Sequence, residues 1–246
     1  MATALRGDEV GHLRGHGTLG RMSTMASRLI LFGDEMWTSP YVLSCFVALT
    51  EKKLPFDMRT VMLQAGAQRA PAYVNYSFTA RVPALVDGDF SLSESSAIVE
   101  YLEDKWPGPA HVALLPADPK DRARARQIMA WLRSDLMSIR EERPAEYVFF
   151  AHASLPPYAP LSSSGMRALD KLVAFAERLV PAEGGSLFGA WCVADTELAM
   201  MLQRLIKTHQ PLPEPLRVFG ERQWQRPSVQ AFVTAPRPAS YLAAQT

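Results

Sequence analysis

The chain has 246 residues, 48% of them hydrophobic, and its 26 basic and 25 acidic residues leave a formal net charge of +1. That is enough apolar material for one large or two ordinary domains with proper cores, and so even a balance of charge points to neither nucleic acid nor an anionic membrane as a partner. No apolar run approaches the roughly 18 residues of a membrane span, and the two cysteines, Cys45 and Cys192, have no metal or C-x-x-C spacing, so both are expected as buried thiols in a reducing cytosol.

Residues 1–27 mix Gly, His, Arg, Thr and Met without a helical or strand period and without an apolar h-region, so they read as a disordered extension, not a secretory signal. Met22 and Met25 are alternative starts. His12 and His16 stand four apart, but Gly11, Gly15 and Gly17 oppose a helix that would hold a metal, and no metal is expected.

Arg28 to Phe32 reads as a buried strand closed by Gly33. Ser39 is a natural N-cap and Pro40 a natural first residue for a helix whose apolar face is Val42, Cys45, Phe46 and Leu49. Phe56 to Val61 follows as a second strand, parallel to the first because a helix joins them. A polar, proline-containing stretch from Gln64 to Ala80 leads to a short buried strand with Val82, Ala84, Leu85 and Val86. Pro83 sits at the head of this strand, a position tolerated when its peptide bond is cis or when the strand edge faces a ligand, and Val82 then offers its backbone outward. After a turn at Asp87, Gly88 and Asp89, Phe90 to Leu92 forms a fourth strand.

Ser93, Glu94, Ser95 and Ser96 then open a helix with Ala97, Ile98, Tyr101 and Leu102 on its apolar face. A helix N-terminus carries unpaired N–H groups and about half a positive charge, which suits a carboxylate. Ser95 adds a hydroxyl, and Glu94 can accept from an ammonium group; together they suit the zwitterionic end of an α-amino acid. The same letters also describe a plain cap, with Ser93 at the N-cap and Glu94 merely favouring the dipole.

The order strand, helix, strand, irregular helix, strand, strand, helix is the thioredoxin-like arrangement. Proteins resembling glutaredoxin place C-P-Y-C at the start of the first helix, where this chain has Ser39-Pro40-Tyr41-Val42. Both sulfurs are gone, and a hydroxyl stands where a thiol would feel the helix dipole. The set Ser39, Val82-Pro83 and Glu94-Ser95 resembles the glutathione site of the cytosolic glutathione S-transferases, and the phrases S-P-Y-V-L-S, L-S-E-S-S-A-I-V-E-Y-L-E-D and R-E-E-R-P are similar to the bacterial YfcF-type members. The resemblance covers nearly everything after residue 27. It implies that Val82 and Pro83 pair with the cysteinyl unit of the peptide and that Glu94 and Ser95 hold its γ-glutamyl end. It also implies a cytoplasmic homodimer.

Beyond Asp104, Lys105-Trp106-Pro107-Gly108-Pro109 ends the helix. The expected organisation is an extension over 1–27, a thioredoxin-like α/β domain with a mixed four-stranded sheet over 28–105, a linker over 106–119 and an all-α domain over 120–246. In that second domain Ile128, Trp131, Leu132, Leu136 and Ile139 mark one long helix, Leu169, Leu172, Val173, Ala176 and Leu179 another, and Leu198, Met201, Leu202 and Leu205 a third. Arg122, Arg124, Arg126 and the cluster Arg140 to Arg143 read as solvated helix surface, and Phe188, Trp191 and Trp224 as core. The family carries Ser or Thr at a buried capping box where this chain has Cys192, three residues before Asp195.

Ser39 has no histidine partner nearby, since His111, His152 and His209 fall in loops, so a Ser-His nucleophile is not expected. Its role is then to donate to the sulfur of bound glutathione and stabilise the thiolate, which attacks an electrophile or reduces a peroxide. Tyr41, Trp131 and Met137 could wall the electrophile's pocket between the domains. Two other readings stand beside this one: a glutathione-dependent isomerase or dehalogenase, and a non-catalytic binding or regulatory protein on the same fold.

Overall fold

The backbone of β1 (Leu29–Asp34) runs parallel to β2 (Phe56–Val61), with Leu29 opposite Phe56 and Asp34 opposite Val61. Between them α1 (Pro40–Glu51) makes the crossover that parallel strands require. The computed structural model describes residues 29–150 and 155–237; the extension expected over 1–27, with His12, His16, Met22 and Met25, lies outside them, as do Arg28 and His152. Gly33 lies within β1 instead of closing it, and a Cβ there would come within 2.2 Å of Met58 Cε on β2 and 2.7 Å of Val42 Cγ1 on α1. That strand and helix approach too closely for any side chain.

The polar stretch after β2 holds a short 3₁₀ turn (Ala67–Arg69) and one turn of helix, α2 (Pro71–Val74). The peptide bond between Val82 and Pro83 is cis. β3 (Ala84–Asp87) starts only after it, so Val82 and Pro83 precede the strand rather than belonging to it. β3 pairs antiparallel with β1 and with β4 (Phe90–Ser93), giving a mixed sheet in the order β2-β1-β3-β4. A two-residue loop joins β3 to β4, and Gly88 supplies the left-handed φ of 66° that its first position demands. Then α3 (Ser95–Lys105) packs beside α1 on one face of the sheet.

The second domain is helical: α4 (Pro119–Ser134), α5 (Met137–Glu142), α6 (Glu146–Phe149), α7 (Ser163–Ala176), α8 (Val193–Lys207), α9 (Glu214–Trp224) and α10 (Pro227–Val233). The single long helix expected through Ile139 is broken in two. Asp135 accepts from the Trp131 indole at 3.0 Å and from the Leu136 backbone N–H at 2.7 Å, and Leu136 turns to a φ of 59° while its side chain stays buried. Leu179 likewise lies beyond the end of α7. Cys192 and Cys45 are both buried free thiols, and Asp195 accepts from the Cys192 and Leu187 backbone N–H groups, each at 2.8 Å, to anchor the start of α8. Among the described residues no helix is long and apolar enough to cross a membrane.

The arginines expected as solvated surface divide. Arg126 meets Glu100 in the open, but Arg143 is buried, with its guanidinium donating to the Ala159 carbonyl at 2.8 Å and lying over the Tyr158 ring. The core itself is continuous across the two domains: Leu31, Val47, Leu49 and Ile98 on the sheet side join Ile128, Leu132, Leu198 and Phe219 on the helical side. α1 is the shared wall, packed on α3, α8 and α10.

Burial at that wall extends to a charge. The Lys52 side chain is 0% exposed, and its ammonium donates to Glu103 at 2.8 Å, to the Trp106 carbonyl at 2.7 Å and to the Val112 carbonyl at 3.0 Å. All three of its protons are used. Glu103 also accepts from the Leu114 N–H at 2.9 Å and from Arg122 at 3.3 Å, so one ion pair fastens α1, α3 and the connection between the domains. Removing one partner of a buried pair strands the other, at a cost of about 3 kcal/mol or more, whereas an exposed pair contributes under about 1 kcal/mol. Urea denaturation of Lys52→Met should therefore show a loss several times that of Arg126→Ala; equal losses would contradict the assignment.

Candidate functional site

Two adjoining cavities open where the sheet domain meets the helical domain. The smaller, of about 210 Å³, is lined by Tyr41, Thr79, Arg81, Val82, Pro83, Glu94, Ser95 and Arg133. Four of the five residues singled out from the sequence thus share one wall. The larger, of about 270 Å³, lies between α1, α4, α5 and α8, and Tyr41 and Arg133 line both.

Each element of the smaller cavity has a local cause. Before Val82 the chain is fastened from both sides of Arg81, whose carbonyl accepts from the Tyr73 hydroxyl at 2.7 Å and from the Ser77 hydroxyl at 2.8 Å. Burial pushes the Tyr73 phenol up to about 12, against the Ser77 hydrogen bond, so it stays a neutral donor. The ladder between β3 and β1 begins at Ala84, opposite Phe32, which leaves the Val82 backbone beyond the last pairing. Thr79 Oγ1, on the same wall, is buried with no hydrogen-bond partner among the described residues. A buried hydroxyl left unpaired costs free energy that a polar ligand would recover.

The opening of α3 is the other wall. Ser93 is the last residue of β4 and not the cap; Glu94 holds the N-cap position with φ 75° and ψ 113°, and no side chain caps the helix. Ser39 for α1, Asp118 for α4 and Ser162 for α7 each accept from first-turn N–H groups, whereas α3, like α2, α5, α6, α9 and α10, has no side-chain cap. At α3 the donors are left for something else. A positive φ on a residue other than Gly costs of order 1–3 kcal/mol. Ser95, buried, follows at once, and its hydroxyl accepts from Arg133 at 3.2 Å. A helix N-terminus, a hydroxyl and a guanidinium converge there, with the exposed Glu94 carboxylate beside them.

Arg133 is the residue that sequence reasoning missed. It forms a two-pronged pair with Glu197 of α8 at 2.5 Å, and Glu197 also accepts from Ser44 of α1 at 2.6 Å. Four helices, α1, α3, α4 and α8, meet in this network. Its separations along the chain, from 38 to 153 residues, leave no trace in local periodicity.

Ser39 lines neither cavity, although Pro40 and Tyr41 do. The segment before it is set by the buried Asp34 carboxylate, which accepts from the Thr38 N–H at 2.7 Å and from the Ser39 N–H at 3.1 Å. The Ser39 oxygen in turn accepts from the Val42 N–H at 3.4 Å, so its own proton remains to be donated. Of the three apolar walls expected for the larger cavity, Tyr41 and Met137 are present, but Trp131 packs on Phe175 with 4.3 Å between ring centroids and takes no part. Among the described residues no group of three or more His, Cys, Asp or Glu is disposed to hold a metal ion.

Comparison with known proteins bears on this geometry. Residues 38–105 match the model of the glutathione S-transferase N-terminal domain, and residues 118–237 that of the glutathione S-transferase C-terminal domain. A glutathione transferase homolog from Burkholderia gl BGR1, solved with bound glutathione, is 40% identical with a TM-score of 0.69, over 84% of this chain and 96% of that one. Glutathione S-transferase theta-3 of Mus musculus is 37% identical over 93 residues, 38% of each chain. Maleylacetoacetate isomerase of Pseudomonas aeruginosa is 42% identical over 93 residues, 37% of this chain and 42% of that protein. The matched part thus spans about two fifths of the length of these curated relatives.

Proposed function

Because the chain belongs to the glutathione S-transferase family, we propose that it binds glutathione in the smaller cavity and uses the peptide's thiolate as a nucleophile toward a second substrate in the larger one. The observation that carries this reading is the uncapped N-terminus of α3, opening on a cavity that Val82, Pro83, Glu94 and Ser95 line together. The γ-glutamyl carboxylate meets the free N–H groups, the Ser95 hydroxyl and the field of Arg133; the ammonium meets Glu94. The cysteinyl amide pairs with the Val82 backbone, and the unpaired Thr79 hydroxyl is a further polar contact for the peptide. On this reading residues 28–105 form the glutathione-binding domain, 106–119 the linker and 120–246 the helical domain of a cytoplasmic protein. The phrases around Ser39 and Glu94 support a place near the bacterial YfcF-type members.

Ser39 donates its free proton to the glutathione sulfur at the positive end of α1. A thiol with a reference pKa of about 8.5 is then ionised at neutral pH. In conjugation the sulfur bonds the electrophilic carbon, the leaving group departs with its electron pair and the thiol proton goes to solvent. In peroxide reduction two glutathione molecules give a disulfide, an alcohol and water. One observation favours a second donor: Tyr41 lines both cavities while Ser39 lines neither.

Steady-state conjugation separates the two. If Ser39 lowers the thiol by one to two pKa units, Ser39→Ala reduces the thiolate fraction, and with it kcat at pH 7, by about 8- to 25-fold while the glutathione Kd changes little, and Tyr41→Phe changes kcat less. The reverse order transfers the role to Tyr41, and no turnover with any electrophile or peroxide leaves a binding protein.

The homodimer also has a physical warrant. Phe78 is 95% exposed, and Met62, Val74 and Tyr76 lie exposed on the same segment. Such a patch marks an interface. It adjoins Thr79 and Arg81 on the cavity wall, so a second copy seated there would bear on glutathione. Light scattering after size exclusion should give twice the chain mass for the wild type and the single-chain mass for Phe78→Glu; a monomeric wild type would rule the dimer out.

A further inference from the structure

The larger cavity is apolar on most of its wall, where Leu43, Leu132, Met137, Met200 and Met201 face it, yet it also holds three arginines. Arg133 is committed to Glu197. The other two have no carboxylate within ion-pairing distance among the described residues. Arg140 donates to the Tyr41 hydroxyl at 2.8 Å and to the Arg133 carbonyl at 2.9 Å, and its Nε is buried without a partner. Arg204 is 5% exposed, and its guanidinium donates to the Arg143 carbonyl at 2.7 Å.

Burial pushes Arg204 down to about 10; Glu146, outside the cavity wall, opposes the shift, and the charge of Arg140 adds to it. The charge of Arg140 thus repels that of Arg204, which still stays protonated at neutral pH. Among the described residues the wall has one acid besides Glu197, the exposed Glu141. A buried cation without a paired anion is costly. Arg204, buried, and Arg140, part-buried, line the same open-mouthed and mostly apolar pocket, which favours an anion arriving from outside, and a guanidinium fork matches the two oxygens of a carboxylate.

We propose that the second substrate is an electrophile bearing a carboxylate, its apolar body against the leucines and methionines and its carboxylate held by Arg140 with Arg204 behind it. This deepens the transferase reading and rests on it for the chemistry, though not for the binding. The partner reaction is the one given above: a C–S bond forms, the C–X bond breaks, and the halide leaves with its electron pair.

The test uses matched pairs. 4-Chloro-3,5-dinitrobenzoate and its methyl ester carry the same reactive carbon, and each rate is divided by that of the uncatalysed reaction with glutathione. The wild type should favour the acid by about tenfold or more, the yield of one charge-assisted hydrogen bond. Arg140→Gln should bring that ratio near one, and Arg140→Lys should restore part of it. A wild type that treats the two alike or prefers the ester overturns the proposal, as does an Arg140→Gln variant that loses both rates equally. Calorimetric titration with 3,5-dinitrobenzoate and 3,5-dinitrobenzamide, which have no leaving group, separates the two readings. Preference for the benzoate without any turnover upholds this inference and removes the transferase; no preference in either assay removes the inference.

Discussion

The pairing of Arg133 with Glu197 holds the site together. Glu197 reaches it from α8 and Arg133 from α4, and the same two side chains engage Ser44 on α1 and Ser95 at the head of α3. The pair is largely buried, with 18% and 10% of the two side chains exposed, so each charge relies chiefly on the other. Loss of either member would strand the other in the seam between the domains. Because Arg133 lines both cavities, the contact that fastens the domains also fixes where one cavity meets the next.

Around that fixed point lie three local features that cost the fold stability. Ser39, Asp118 and Ser162 cap their helices with side-chain oxygens, while α3 begins at an uncapped Glu94 in a costly backbone conformation. A second is Thr79, whose buried hydroxyl has no partner among the described residues, and a third is the pair of arginines in the apolar cavity with no ion-pairing carboxylate among the described residues. All three line one continuous opening between the domains. Departures from local rules gather where a fold is shaped for a ligand instead of for its own stability.

What could be read from the sequence follows the range of the interactions. Ser39 and Pro40 mark the start of α1 because a cap and an N1 proline act within one turn, and β2 falls on Phe56–Val61 as expected. The two-residue turn at Gly88 is equally local. The break at Leu136 escapes the pattern because Leu136 stays buried, so the apolar period runs through it while Asp135 diverts the backbone. Arg143 reads as surface in the sequence and Lys52 carries no signal there; only partners 51 to 60 residues away hold Lys52 inside, and one 16 residues away holds Arg143. Arg133 lay hidden for the same reason, and with it the junction of the two cavities. The starts of α1 and α3 and the Val82-Pro83 segment are thus marked by short motifs, while the larger cavity is written in contacts between distant helices.

The central claim is that this cleft keeps the sulfur of bound glutathione ionised. Its most direct measurement is the ultraviolet difference absorbance of the thiolate as glutathione is titrated into the protein across a range of pH. The account predicts a saturable thiolate band whose midpoint lies one to two pH units below the reference value of about 8.5. Saturable binding with no thiolate band at neutral pH, or no binding at all, would contradict it.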